Sequence, residues 1–136
     1  MKAVLDVNLL VSALLSRSSA PAELLGHWLE GALELLVSPL LIDELERALA
    51  YPKLRGRIPA ALASDFVGWL SRTATVAMDV PHALGPLPDP DDVYLLALAR
   101  QERAALVSGD KHLLSLRDQA PIFTPRAFVE MLRERG

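Results

Sequence analysis

No cysteine occurs anywhere in the 136 residues, which excludes disulfide bonds and every thiolate metal site. A reducing cytoplasm is the compartment this leaves by default, and a cytoplasmic location is expected. The three histidines, His27, His82 and His112, lack the close spacing of an imidazole metal site and are expected at the surface or at helix ends. Positive charge is not in excess: 14 Lys and Arg against 17 Asp and Glu give a net charge of −3. Bulk attraction therefore cannot hold a polyanion, which must be met locally by a metal ion or a basic strip. No apolar run approaches the roughly 18 to 20 residues of a membrane span. The N-terminal MKAVLDVNLL is interrupted by Asp6 and Asn8, so neither a signal peptide nor an anchor is expected. Glycine is scarce, at seven residues, whereas ten prolines mark stiff, well-punctuated loops.

What is present is enough apolar material for a real core. With 51% hydrophobic and 23% charged residues, the chain falls among globular proteins and far from the disordered class. Its length predicts a single domain spanning residues 1–136, with about two thirds of the unfolded surface buried on folding. Lys2 to Asp6 reads as a strand, followed by a helix from about Leu9 to Leu15 capped by Asn8. A second helix opens at Ala20-Pro21 and carries Leu24, Leu25, Trp28 and Leu29 at helical spacing. Leu33 to Ser38 reads as strand two. Pro39 then opens a helix with an apolar seam of Leu41, Leu45 and Leu49, ended by Tyr51-Pro52.

A basic connector from Lys53 to Pro59 leads to a helix from about Pro59 to Ser71 and a strand at Ala74 to Met78. Asp79 to Pro90 is expected as an irregular loop, and Asp91 to Glu102 as a helix. The remainder reads as a strand at Ala105 to Val107, a turn at Ser108-Gly109, a helix at Lys111 to Leu116, a strand at Ile122-Phe123 and a helix from Pro125 to Arg135. Parallel strands require helical crossovers that cover both faces. The alternation therefore predicts an α/β fold, a three-layer α/β/α sandwich with a mainly parallel central sheet.

Asp6, Glu44, Asp92 and Asp110 each fall just beyond a predicted strand. In an open parallel sheet the strand ends face one crevice, so separate loops would bring these carboxylates together. Each has a structural reading as well. Asp89-Pro90-Asp91-Asp92 suits a helix start on stability grounds, Asp110 could cap the helix at Lys111, and Glu44 could face solvent like Glu46 and Arg47. Together they mean more than singly. Four converging carboxylates repel one another, and a hard divalent cation, Mg²⁺ or Mn²⁺ and not zinc, is what oxygen-only ligands suit. Arg47, Lys53, Arg55 and Arg57 form the densest basic stretch; they read either as a phosphate-tracking strip or as a solvated helix end and connector.

With these positions assembled, the chain resembles the PIN-domain family, and within it the VapC-like toxin ribonucleases of bacterial type II toxin–antitoxin systems. VLDVNLLVSALL, SPLLIDELERAL, DPDDVYLLALA and ALVSGDKHLL carry the resemblance, in that order, over nearly the whole chain. The resemblance implies a PIN-like nuclease domain whose catalytic and metal-binding acids fall on Asp6, Glu44, Asp92 and Asp110. Asn8, Ser12 and Ser108 fall on the polar positions that orient a carboxylate or a metal water.

It further implies a Mg²⁺- or Mn²⁺-dependent endoribonuclease acting on RNA phosphodiesters. Its partners would be a small antitoxin, with the leucine-rich face of Ala22 to Leu29 as the groove, and a second copy in a homodimer. Two other functions compete. One is a non-catalytic PIN-like module that binds RNA or protein. The other is an aspartate-nucleophile phosphatase with Asp6 as nucleophile and Lys53 and Asp91-Asp92 completing the site, which Asn8 disfavours because that chemistry wants a second aspartate there.

Overall fold

The computed structural model describes residues 1–80 and 93–135. The expectations for His82, Asp89, Asp91 and Asp92 lie outside them. Among the described residues, five strands, β1 (Lys2–Leu5), β2 (Glu34–Val37), β3 (Thr75–Val76), β4 (Ala105–Val107) and β5 (Ile122–Phe123), form one sheet in the order β3-β2-β1-β4-β5. Every adjacent pair is parallel. The interior strands are continuous apolar runs because both their faces are covered: Ala3, Val4 and Leu5, Leu35, Leu36 and Val37, and Leu106 and Val107 are at most 1% exposed. The two edge strands are two residues long, which leaves little free backbone for unwanted pairing.

The helices are α1 (Val7–Leu15), α2 (Ala20–Leu29), α3 (Pro39–Leu49), α4 (Pro52–Arg55), α5 (Ala60–Thr73), α6 (Val93–Glu102), α7 (Lys111–Leu114) and α8 (Pro125–Arg135). From β1 the chain steps outward through β2 to β3, then jumps back across the sheet to β4 and β5. Right-handed crossovers moving in opposite directions place their helices on opposite faces. Accordingly α1 packs on α2 and α3, α3 on α5 and α8 on α2, while α6 packs on β1 and β4. The strand order reverses between β1 and β4, and that is where a crevice opens at the carboxyl edge.

Local signals explain most boundaries. Ser19 and Ser38 cap α2 and α3, each followed by a proline in the first turn. The seam of α3 is as expected: Leu41, Leu45 and Leu49 are at most 2% exposed, and each contributes roughly 1.5 to 3 kcal/mol of burial. α2 ends in a Schellman motif, with the Ala32 amide donating to the His27 carbonyl at 2.9 Å and that of Gly31 to Trp28 at 3.0 Å. Gly31, at φ +86, supplies the left-handed residue this motif needs. Trp28 and Trp69 pack α2 against α5 with ring centroids 5.2 Å apart. Among the described residues no helix is long and apolar enough to cross a membrane.

Two expectations are corrected. The first helix begins at Val7 and its cap is Asp6, whose side chain accepts the Leu9 amide; Asn8 is exposed and inside the first turn. Only Asp6 separates the strand from the helix, so the one residue that leaves the sheet must also serve as cap. The start of the basic connector, Lys53 to Arg55, is taken up by a helical turn, α4, that opens at Pro52.

Candidate active site

The crevice is built from backbone first. The Asp6 amide donates to the Val107 carbonyl at 3.1 Å and the Ser108 amide to that of Phe123 at 2.9 Å, so the sheet ladder carries both residues to its carboxyl edge. Asp6 is extended, at φ −69 and ψ 164, and only 6% exposed. Its Oδ1 accepts the Leu9 amide at 3.0 Å, and its Oδ2 accepts the hydroxyl of Ser108, itself fully buried. The same Ser108 oxygen accepts the Asp110 amide at 2.9 Å. Asp110 in turn caps α7, its Oδ1 accepting the amides of His112 at 2.7 Å and Leu113 at 3.3 Å. Asp110 is thus a helix cap by geometry, and through Ser108 it is also one bond removed from Asp6.

Burial is the main force on the Asp6 carboxyl and holds it above the ordinary aspartate value of 3.8. The hydrogen bonds from Ser108 and Leu9 work the other way, and the nearby charges of Asp110 and Glu44 add to the rise. Two of the expected acids, one on α3 and one in the turn after β4, therefore bear on a third that directly follows β1. Asp92, immediately before α6, lies outside the described residues.

Glu44 projects from α3 into a cleft of about 650 Å³, shared with Asn8, Leu40, Arg47, Tyr51 and Tyr94. Its Oε2 accepts the Tyr94 hydroxyl, which ties α3 to α6 across 50 residues of sequence. Of the basic stretch, Arg47 lines this cleft, whereas Arg55 lines a separate hollow of about 370 Å³ with Glu46 and Val67. Lys53 and Arg57 are exposed and border neither of these two hollows. Ser12 is half-buried on α1 and, like Asn8, makes no side-chain hydrogen bond to the acids among the described residues.

A family model described as the PIN domain matches residues 2–112, from β1 into α7. The chain belongs to the PIN domain family. An uncharacterized protein of Methanocaldococcus jannaschii, MJ1680, is 25% identical over 140 aligned positions, covering 96% of this chain and 90% of that protein. Among solved structures, that of PAE2754 from Pyrobaculum aerophilum superposes with a TM-score of 0.63 at 22% identity, over 98% of this chain and 90% of the other. A chain of VapBC2 from Rickettsia felis, solved bound to a DNA fragment from their promoter, gives 0.62 at 16% identity, over 90% and 97% of the two chains. These likenesses concern the fold.

Two residues of this PIN domain escaped the sequence reading. Tyr94 lies two positions after Asp92, but nothing in its spacing points to Glu44. Asp79, just past β3, accepts the Leu40 amide through Oδ2 at 3.0 Å and so pins the first turn of α3, while its buried Oδ1 has no hydrogen-bond partner among the described residues. Its position after a strand was a usable signal. As for a metal ion, no group of three or more acids or histidines among the described residues is arranged to hold one. The donors at Asp6 and Glu44 are nevertheless carboxylate oxygens. A buried carboxyl whose charged form is disfavoured by burial and by two neighbouring anions is chemistry that a hard cation relieves.

Proposed function

We propose that this PIN domain is a Mg²⁺- or Mn²⁺-dependent endoribonuclease, the toxin of a toxin–antitoxin pair. The observation that carries the reading is the buried Asp6 at the sheet reversal, bonded to Ser108, charged against Asp110 and Glu44, and beside a cleft that also holds Arg47. Asp6 and Asp92 would hold the cation, with Asp110 and Glu44 completing the set. When bound, the ion would offset the charge of the scissile phosphate and make a water more acidic. Ser108 holds Asp6 in one orientation and fixes the start of the Asp110 turn. Tyr94 does the same for Glu44. Arg47 is placed to meet the substrate backbone, and Asn8 lines the same wall. Attack of water on phosphorus with the 3′ oxygen as leaving group, which takes up a proton, would leave a 5′-phosphate and a 3′-hydroxyl.

A defined RNA panel incubated with Mn²⁺, Mg²⁺ or EDTA, followed by end-group analysis, tests this. Cleavage should need the metal and vanish in Asp6→Asn and Asp92→Asn. Retained cleavage in either variant would refute the assignment. A phosphatase is disfavoured by Asn8 and by the exposed Lys53, which lies outside the Glu44 cleft. For the antitoxin, the apolar hollow of about 360 Å³ between α1, α2 and α5, lined by Leu14, Ala22, Leu25, Leu29 and Trp69, is the surface we assign. It contains the Ala22 to Leu29 face, with Leu29 64% exposed. Homodimerisation and a cytoplasmic location belong to the same proposal.

A further inference from the structure

The cleft that contains Glu44 carries more than a nuclease needs for hydrolysis alone. Its outer wall holds Tyr51, which is 63% exposed and the one aromatic among the exposed large hydrophobic side chains of the described residues. Leu40, 45% exposed, lines the same cleft. The backbone beneath Tyr51 is rigid: Pro52 disfavours the helical region for the preceding residue, and Tyr51 sits at φ −61, ψ 137. Its amide donates to the Ala48 carbonyl of α3 at 3.3 Å and its carbonyl accepts the amides of Leu54 at 3.0 Å and Arg55 at 3.3 Å from α4, so the backbone is held from both sides. The backbone thus fixes where the side chain leaves the chain, and the ring takes no part in the core.

Arg47 lies one turn before Tyr51 and lines the same cleft, and it forms no salt bridge among the described residues. Glu44 shares the cleft, but its Oε2 accepts the Tyr94 hydroxyl and no ion pair links it to Arg47 among the described residues. A guanidinium, an exposed aromatic face and the Asn8 amide therefore surround a space of about 650 Å³, within the roughly 300 to 1,000 Å³ of small-ligand sites. Each matches one part of a nucleotide: the phosphate, the base face and the hydrogen-bonding edge.

We infer that this cleft seats one unpaired nucleobase of the RNA beside the scissile phosphate, with Tyr51 as the stacking platform and Arg47 on the adjoining phosphate. The inference rests on the nuclease reading and adds to it the side chains that receive the base and its phosphate. A base within a duplex has both faces covered by its neighbours and cannot lie on Tyr51, so the preferred substrate is single-stranded with an unstacked nucleotide at the cut.

The test uses the full chain carrying Asp6→Asn, so that bound RNA is not consumed. The probes are a labelled eight-nucleotide oligouridine, the same length of RNA containing 2-aminopurine, and a blunt RNA duplex. Tyr51→Ala should weaken oligouridine binding by roughly tenfold, the scale of losing one stacked base, and Tyr51→Phe should rescue it. Quenching of 2-aminopurine fluorescence on binding should disappear in Tyr51→Ala, and duplex binding should not respond to either change. Equal binding of oligouridine with and without the Tyr51 ring, as when the cleft serves a protein segment, would overturn the subsite and leave the nuclease reading standing. Absence of any RNA binding by the parent chain would overturn the nuclease reading and this inference together.

Discussion

Replacing Asp6 by asparagine should make the metal-free protein more stable while removing the feature that makes the site chemically useful. The substitution is nearly isosteric, and asparagine caps helices as well as aspartate does, so the bond from the Leu9 amide at 3.0 Å survives. Ser108 keeps a partner too, but with the sense reversed: the Leu9 amide holds the amide oxygen, so the amide nitrogen donates to the Ser108 oxygen and the hydroxyl loses the carboxylate as its acceptor. The larger change is charge. Asp6 is 6% exposed and feels Asp110 and Glu44, and its charged form is disfavoured on balance despite two favourable hydrogen bonds. Relieving this should add on the order of 1 kcal/mol at neutral pH, about 3 to 5 °C in Tm for a chain of this length.

The pH dependence gives the argument its direction. Because the folded-state value lies above 3.8, the native protein binds this proton more tightly than the unfolded chain. The stabilisation is full below the unfolded value and is lost as pH rises through the folded one. Wild type and Asp6→Asn should therefore differ least in acid and most at neutral pH. Asp6→Ala should behave oppositely, losing about 1 kcal/mol with the cap and leaving the buried Ser108 hydroxyl without its acceptor. Melting curves in EDTA between about pH 4 and pH 8 read all three proteins. A lower Tm for Asp6→Asn at neutral pH, or a pH slope equal to that of wild type, would refute the reasoning.

Adding Mn²⁺ to the wild-type protein should raise its Tm with concentration, by about 2.7 kcal/mol of stability at a hundred times Kd; calorimetry should find the rise absent in Asp6→Asn. Ser108→Ala removes a buried hydroxyl that donates to Asp6 and accepts from Asp110. A loss of about 1 to 3 kcal/mol in urea unfolding is expected. Arg103 ends α6 in a left-handed conformation, φ +53, with the Ala104 amide donating to the Ala99 carbonyl at 2.8 Å. A side chain there is strained, so Arg103→Gly should gain about 0.5 to 1 kcal/mol in the same assay.

The helices and strands were legible because their causes are local. The seam Leu41, Leu45, Leu49 shows its period directly, Pro21 and Pro39 mark first turns, and the apolar run Ala3 to Leu5 can only be a strand covered on both faces. The order of strand and helix then left few topologies open. Boundaries slipped where one residue serves two elements. Asp6 belongs to the sheet edge and caps the helix at once, a double duty that placed the cap two residues earlier than Asn8.

What lies between distant segments could be decided only by folding. The Asp6 to Ser108 bond spans 102 residues and the Glu44 to Tyr94 bond spans 50, and no spacing rule connects either pair. The basic stretch looked continuous along the chain, yet α3, α4 and the turn after it point Arg47 into the Glu44 cleft and Arg55 into another hollow. Composition and periodicity determine which residues are buried and in which kind of element, since those depend on neighbours along the chain. Which polar groups meet at the carboxyl edge depends on where the sheet reverses direction, and that is settled by all the crossovers packing together.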